Sequence, residues 1–204
     1  MRKFRYLTFA ITALLLLAFI SGCALIRKPY HRLRSYEGKV VDLETRQPLA
    51  GAVVLAVYSS RTASPAGVLS AEVDAQETVT DEKGEFVLPE VKVMHSGHHG
   101  DLIGQLYIFK PGYGTLEHRR TRWTCTEPGK TKCWISYDSF IVFELPELKT
   151  IDERKLNLRS IDPSSFIPHT KQKLLIKAID EERAFLGYNT FYGEPGDMEK
   201  KNAK

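Results

Sequence analysis

Three histidines and an aspartate lie within seven residues and form the densest group of potential metal ligands in the chain. They are His95, His98, His99 and Asp101. Imidazole nitrogens and carboxylates bind zinc, copper or nickel in proteins, and His118 could join them from a nearby strand. A short His-rich tract is a compositional feature and not a defined ligand set. We therefore expect a polar loop with no metal and no cofactor, and keep a metal site as the alternative.

The short motifs that carry enzyme chemistry are missing from the sequence. There is no His-Glu-x-x-His, no Gly-x-Ser-x-Gly and no Walker phosphate loop. These motifs place a metal, a nucleophile or a phosphate cradle beside the groups that act on the substrate. We therefore predict that the protein is not an enzyme and that it has no catalytic residues.

A second kind of chemistry is indicated at Cys23, which ends a basic and then apolar amino-terminal segment. Residues 6–20 are almost continuously apolar, and Ser21 and Gly22 precede the cysteine. Three basic residues come first, namely Arg2, Lys3 and Arg5. This order is typical of a secretory signal peptide. Two alternatives remain: an uncleaved membrane helix over residues 6–26, and an ordinary signal peptide with an incidental cysteine.

The sequence Ile20-Ser21-Gly22-Cys23 resembles the lipobox of bacterial lipoproteins. This resemblance implies removal of residues 1–22 and attachment of a diacylglyceryl group to the Cys23 thiol, with acylation of the new amine. Two or more acyl chains give stable membrane anchoring where one does not. Ala24, in the place where an aspartate tends to hold such proteins at the inner membrane, implies the outer membrane facing the periplasm.

Charge gives no general reason to expect a nucleic-acid partner. The whole chain of 204 residues carries a net charge of +4, which falls to +1 once Arg2, Lys3 and Arg5 leave with the signal peptide. One basic stretch remains within residues 23–35, directly after the anchor. We interpret it as a solvated tether that lies near anionic lipid headgroups.

Two further cysteines, Cys125 and Cys133, flank a segment that can reverse the chain. Outside the cytoplasm such a pair predicts a disulfide, and residues 127–130, Glu-Pro-Gly-Lys, provide the turn. A metal or redox pair is the alternative, but the spacing is not Cys-x-x-Cys. We therefore predict a hairpin closed by a disulfide.

The body of the chain is rich in strand patterns. Strands are predicted over residues 36–42, 49–58, 77–80, 85–88 and 105–110 and in the two arms of the cysteine hairpin, 115–124 and 133–145. The second is the most apolar and is expected to be central. Residues 59–75, rich in Ser, Ala and Gly, predict a loop, and Asp81 to Gly84 predict the turn of a hairpin.

The carboxyl-terminal part predicts one amphipathic helix over residues 171–186, capped by Ser165 or Thr170 and stopped by Gly187. We expect it to dock on the sheets, with a partner protein as the alternative. Its apolar stripe would contain Leu174, Leu175, Ala178, Ile179, Phe185 and Leu186, and its exposed face Asp180, Glu181, Glu182 and Arg183.

Four segments in this order resemble the carboxypeptidase regulatory-like domain. They are residues 38–42, 48–53, 78–86 and 109–113, and the resemblance covers residues 36–148. It implies a mainly β fold, a transthyretin-like (prealbumin-like) Greek-key sandwich of about seven strands. The remaining divisions are a signal peptide at 1–22, a lipidated tether at 23–35, a linker and helix at 149–192 and a mobile tail at 193–204.

The resemblance also implies structural roles for single residues. Gly51 would allow a crossing chain to approach the backbone, Asp81 would accept from turn amides, and Gly84 would close that turn. Phe86 would enter the core, and Tyr113 would fold its ring onto the sheet edge. None of these roles is chemical.

Together these patterns predict a non-catalytic, lipid-anchored envelope protein. Its sandwich would act as a structural or protein-interaction module, with membrane lipid and an unidentified envelope protein as partners. The alternative is an accessory lipoprotein that binds a metal through the loop from His95 to His99, or a glycan through the hairpin of Trp123 and Trp134, with Tyr113 and Tyr137 as further stacking surfaces.

Overall fold

The computed structural model describes residues 30–65, 67–94, 102–116, 119–125, 135, 139–161 and 167–190. Within them the chain is mainly β, with three sheets and two helices. The strands are β1 Tyr30–Leu33, β2 Tyr36–Asp42, β3 Val53–Ser64, β4 Gly67–Val79, β5 Glu85–Leu88, β6 Val91–Met94, β7 Leu102–Phe109, β8 Arg122–Cys125 and β9 Phe140–Leu145. The helices are α1 Ile151–Leu158 and α2 Lys173–Phe185, and a 3-10 turn covers His169–Lys171.

Two sheets carry most of the architecture. The first has the order β5-β2-β9-β8, in which β2 pairs antiparallel with β5 and parallel with β9. The second has the order β4-β3-β7 and is antiparallel throughout. A small third sheet pairs β1 with β6. The predicted bounds of β2, residues 36–42, are confirmed.

The main core fills the space between the first two sheets. Val40 of β2, Phe86 of β5 and Phe143 of β9 meet Val54 and Tyr58 of β3 there, all of them buried. Because side chains alternate along a strand, each sheet contributes every second residue. The prediction that Phe86 enters the core is confirmed.

The other face of β3 explains why the first half of this strand, residues 53–58, is apolar throughout. Val53, Leu55 and Val57 point away from the first sheet and pack against Leu175 and Ile179 of α2. Each fully buried leucine or isoleucine contributes about 1.5–3 kcal/mol, so removing α2 would expose a second core. The prediction that the helix docks on the sheets is confirmed.

Helix α2 begins differently from the prediction. Neither Ser165 nor Thr170 is its cap: the helix begins after Gln172, which makes no side-chain capping bond. The carboxylate of Glu77 on β4 instead accepts from the amides of Leu174 and Leu175, at 2.9 and 3.2 Å. A negative charge at a helix amino terminus is favourable, and here it also ties α2 to the sheet. Gly187, with φ of 76°, ends the helix as predicted.

The expected exposed face of α2 is wrong at Glu182, which is buried. Its side chain is 3% exposed and forms a two-point ion pair with Arg154 of α1, whose side chain is 15% exposed. The Glu182 Oε1 accepts from Arg154 Nε at 2.7 Å, and Oε2 accepts from the Gly112 amide at 3.0 Å. Phe185, expected in the buried stripe, is instead largely exposed beneath the Arg154 guanidinium. The ion pair with Arg154 therefore places Glu182 in the interior, while Phe185 lies outside it, the opposite of the predicted arrangement.

Helix α1 lies in the segment predicted as linker, and its start carries a recognisable signal. The Thr150 hydroxyl accepts from the Glu153 amide at 3.1 Å, and the Glu153 carboxylate accepts from the Thr150 amide at 3.3 Å. This reciprocal pair is a capping box. Asn157 then fixes the helix to the sheet edge, since it accepts from the Thr115 amide and donates to the Tyr113 carbonyl, at 3.0 and 3.1 Å.

The predicted loop over residues 59–75 is wrong. Strands β3 and β4 continue into it and pair from Tyr58↔Asp74 out to Ser64↔Gly67. Strand β3 ends only at Ser64, and β4 begins at Gly67. Small and polar side chains weaken a strand but do not forbid it, because every second residue of each strand still gains backbone hydrogen bonds across the ribbon.

The turn at residues 81–84 is confirmed, although it is not a hairpin turn. Asp81 Oδ1 accepts from the amides of Lys83 and Glu85, at 2.9 and 2.8 Å, and Gly84 has φ of 74°. The strands on either side belong to different sheets, because β4 pairs with β3 and β5 pairs with β2. The turn therefore carries the chain from one layer of the sandwich to the other.

The expectation for Gly51 is also corrected. A Cβ at this position would meet only the Lys110 Nζ, at 4.0 Å, so no chain crosses closely there. The glycine is favoured instead by its φ of 73°, which other residues adopt at a cost.

Candidate functional site

The strand register places several chain segments at one end of the sandwich, which we call the tether end. Strand β1 comes directly before Tyr36, which pairs with Leu88 of β5. The first residue of β9, Phe140, pairs with Glu37, and the last residue of β8, Cys125, pairs with Ile141. Strand β2 therefore begins at the same end at which β8 ends and β9 begins.

The second sheet contributes to the same end. Leu102, the first residue of β7, pairs with Ser60. Strand β6 ends at Met94, and β7 begins at the tether end with Leu102. The end of β8 and the starts of β2, β7 and β9 thus all lie at one end of the sandwich.

Aromatic side chains close the core at this end. The rings of Tyr36 and Tyr58 lie 6.4 Å apart, and the Tyr58 hydroxyl donates to the Arg34 carbonyl at 3.0 Å. Gly104 faces them so closely that a Cβ there would lie 2.4 Å from the Tyr36 hydroxyl oxygen. This layer joins the entering chain to both sheets and marks the level at which the two-sheet sandwich stops.

One ribbon continues past that level. Strand β7 covers β3 only as far as Ser60, so from Arg61 to Ser70 the paired strands are β3 and β4 alone. Near the tip, Val68 is 69% exposed and Leu69 is 60% exposed. Sequence reasoning missed this feature because residues 59–75 were assigned to a loop; two adjacent large apolar residues after Pro65 and Gly67 were the available signal.

A pocket of about 190 Å³ opens between the starts of β2 and β9. It is lined by Ser35, Glu37, Ser139 and Phe140. Two hydroxyls and a carboxylate beside an aromatic ring could bind a small polar group. They bring together a base and two weak nucleophiles, and the described lining holds no third group that would orient them for nucleophilic catalysis.

Most of the predicted site residues lie outside the described part of the chain. This applies to the lipidation site Cys23, to the metal candidates His95, His98, His99 and Asp101, and to His118, Cys133, Trp134 and Tyr137. Among the residues that are described, no group of three or more His, Cys, Asp or Glu side chains could hold a metal ion. Of the two cysteines in the predicted disulfide, only Cys125, at the end of β8, is described, so the disulfide stays a prediction.

The two described members of the aromatic set occupy different surroundings. Trp123 lies on the edge strand β8, opposite Phe143, and is partly exposed. Tyr113 lies beyond β7 and packs against the main core, where its hydroxyl donates to Asp42. Tyr113 therefore serves the packing at the other end of the sheet, and of the two only Trp123 presents a ring at the surface of the described chain.

Asp42 and Tyr113 shift each other's pKa. Burial alone would raise the pKa of Asp42, but hydrogen bonds from Thr45, Glu44 and Tyr113 outweigh it and lower the pKa. The amides of Glu44 and Thr45 donate to Oδ1 at 2.8 and 2.7 Å. Burial and the negative charges of Asp42 and Glu147 raise the pKa of Tyr113. Asp42 therefore holds the turn after β2 as a carboxylate, and Tyr113 stays neutral at pH 7.

Comparison with protein-family models, curated proteins and solved structures found no match for this chain. Within the described residues, no helix is long and apolar enough to span a bilayer.

Proposed function

We propose that this chain is a non-catalytic, lipid-anchored cell-envelope protein, held in the outer membrane facing the periplasm by acylated Cys23. Its β-sandwich acts as a structural or protein-interaction module. The observation that carries this proposal is the order of strands at the tether end, where β1 comes directly before β2 and β2 pairs with β9. A lipid at Cys23 would then hold this end near the bilayer and turn the helix-covered part of the second sheet toward partners.

We further propose that the sandwich is a transthyretin-like Greek key of the carboxypeptidase regulatory-like kind. The two main sheets together contain seven strands, the number that the resemblance implies. Asp81, Gly84 and Phe86 take the turn and core positions expected of them. Each of these residues has the position and the role that the family resemblance implies, and this agreement supports the proposal.

The surroundings of the buried carboxylates favour a structural role over catalysis. Glu182 is paired with Arg154, Glu144 accepts from Arg46, and Asp42 accepts from turn amides. A catalytic carboxylate should face a pocket with a proton to transfer. These three are instead neutralised by arginines or backbone donors, which is what structural ion pairs require.

Cell fractionation of two variants tests the anchoring. Wild-type protein made in a Gram-negative host should sediment with membranes and enter the detergent phase on phase separation. Cys23→Ser should leave that phase, since it has no thiol to acylate. Cys125→Ser is the matched control and should remain membrane-bound. Wild-type protein found in the aqueous phase would contradict the proposal.

A further inference from the structure

The outer part of the β3–β4 ribbon, residues 61–71, is an apolar tip without a described covering layer. Val68 and Leu69 are consecutive strand residues, so their side chains point to opposite faces of the ribbon. Both are more than half exposed, at 69% and 60%. A protein laid against one face would cover only one of them, whereas immersion of the tip in lipid covers both.

The charge of the tip fits a lipid surface. Residues 61–71 contain one arginine, Arg61, and no acidic residue. Arg61 is exposed and pairs with Ser70 across the ribbon. The first carboxylates, Glu72 and Asp74, appear only where the ribbon rejoins the sandwich. Arg61 contributes about 1 kcal/mol near an anionic headgroup layer, and no carboxylate within residues 61–71 opposes it.

The lengths also agree. From Ser60, the last β3 residue that β7 covers, β3 runs four residues to Ser64, which at roughly 3.3 Å per residue is about 13 Å. Seven residues separate Cys23 from Tyr30, and an extended chain of that length spans at most about 25 Å. A bilayer that holds an acyl chain on Cys23 would therefore be within reach of the ribbon tip.

We propose that the ribbon tip docks on the lipid bilayer, with Val68 and Leu69 inserted at the boundary between headgroups and acyl chains. The tip then acts as a second, non-covalent contact that fixes the orientation of the sandwich on the membrane. This inference rests on the proposed acylation of Cys23, which brings the protein to the bilayer.

Depth-dependent fluorescence quenching tests the docking. Acylated full-length protein carrying Leu69→Trp is reconstituted in anionic vesicles whose lipids bear bromine near the carbonyl end of the acyl chain. An inserted tip lies about 5–10 Å below the surface, so the added emission should fall by roughly half relative to unbrominated vesicles. Val79→Trp, at the partly exposed far end of the same strand, is the matched control and should keep its emission. Thermal unfolding verifies that both variants fold like the wild type.

Each other outcome has a definite meaning. If acylation is confirmed by mass and Leu69→Trp is not quenched, the tip does not dock on lipid and the anchoring proposal stands. If Cys23 carries no lipid, the anchoring proposal fails, and the same pair of variants with added vesicles tests the ribbon alone. If the Leu69→Trp emission shifts to the blue as protein concentration rises without vesicles, the tip binds a second copy of the chain. If the emission shifts only when envelope proteins are added, the tip binds a protein partner. Either result would overturn lipid docking.

Discussion

The ion pair between Glu182 and Arg154 gives the most demanding prediction about the fold. Glu182→Gln keeps the shape of the side chain but removes its charge. It leaves the Arg154 guanidinium, 15% exposed, without its carboxylate beneath the second sheet. The Gly112 amide also loses a charged acceptor at 3.0 Å.

The cost follows from this burial. Removing one partner of a buried pair costs about 3–5 kcal/mol, and the residual exposure of Arg154 places the expected loss near the lower limit, at about 3 kcal/mol. A chain of this size loses roughly 2–4 °C of melting temperature per kcal/mol, so we expect a fall of about 6–12 °C.

The assay is urea unfolding followed by circular dichroism, with two companion variants. Glu181→Gln is the matched control, because its side chain is 57% exposed and 4.0 Å from Lys177, a contact worth about 0.5 kcal/mol or less. The double variant Arg154→Met with Glu182→Leu should recover most of the stability, since no charge is then left buried. If Glu182→Gln cost no more than Glu181→Gln, the buried-pair reasoning would be refuted.

Three further predictions concern single features. Because the pKa of Asp42 is lowered in the fold, its contribution to stability is full above the unfolded pKa and is lost as pH falls through the folded one. Asp42→Asn should cost about 1.5–3 kcal/mol at pH 7, the usual contribution of hydrogen bonds to a charged group, and the difference from wild type should shrink in acid denaturation below about pH 4. Gly84→Ala should cost about 3 kcal/mol in chemical denaturation, because its φ is 74° and its Cβ would lie 2.4 Å from a backbone oxygen. Gly187→Ala, with φ of 76° and open space around it, should cost about 1 kcal/mol. Equal costs for the two variants would contradict this reasoning. A non-reduced digest should yield one peptide pair linking Cys125 and Cys133, worth about 2–3 kcal/mol on reduction, and two free thiols would disprove the disulfide.

The sequence was sufficient where a local pattern decides the structure. The alternation of residues 36–42 predicted β2 at its observed bounds, and the helical period of residues 171–186 predicted α2 to within two residues. The turn at 81–84 followed from the chemistry of aspartate and glycine.

The errors arose where a distant residue decides the outcome. The pattern of its own helix predicts that Glu182 is exposed, but its carboxylate pairs with Arg154, 28 residues earlier, and lies buried. The cap of α2 comes from Glu77 on β4, which no pattern near the helix could reveal. The segment 59–75 forms a ribbon because its two halves pair with each other, although neither half has strong strand propensity. Helix α1 was predictable in principle, because Thr150 and Glu153 have the spacing of a capping box.

The proposed function depends most on the lipid at Cys23, and mass spectrometry of the mature amino-terminal peptide tests it directly. We predict a peptide that begins at Cys23 and carries a diacylglyceryl group, with or without a further acyl chain on the amine. A peptide that begins at Met1, or one with an unmodified cysteine at position 23, would contradict it.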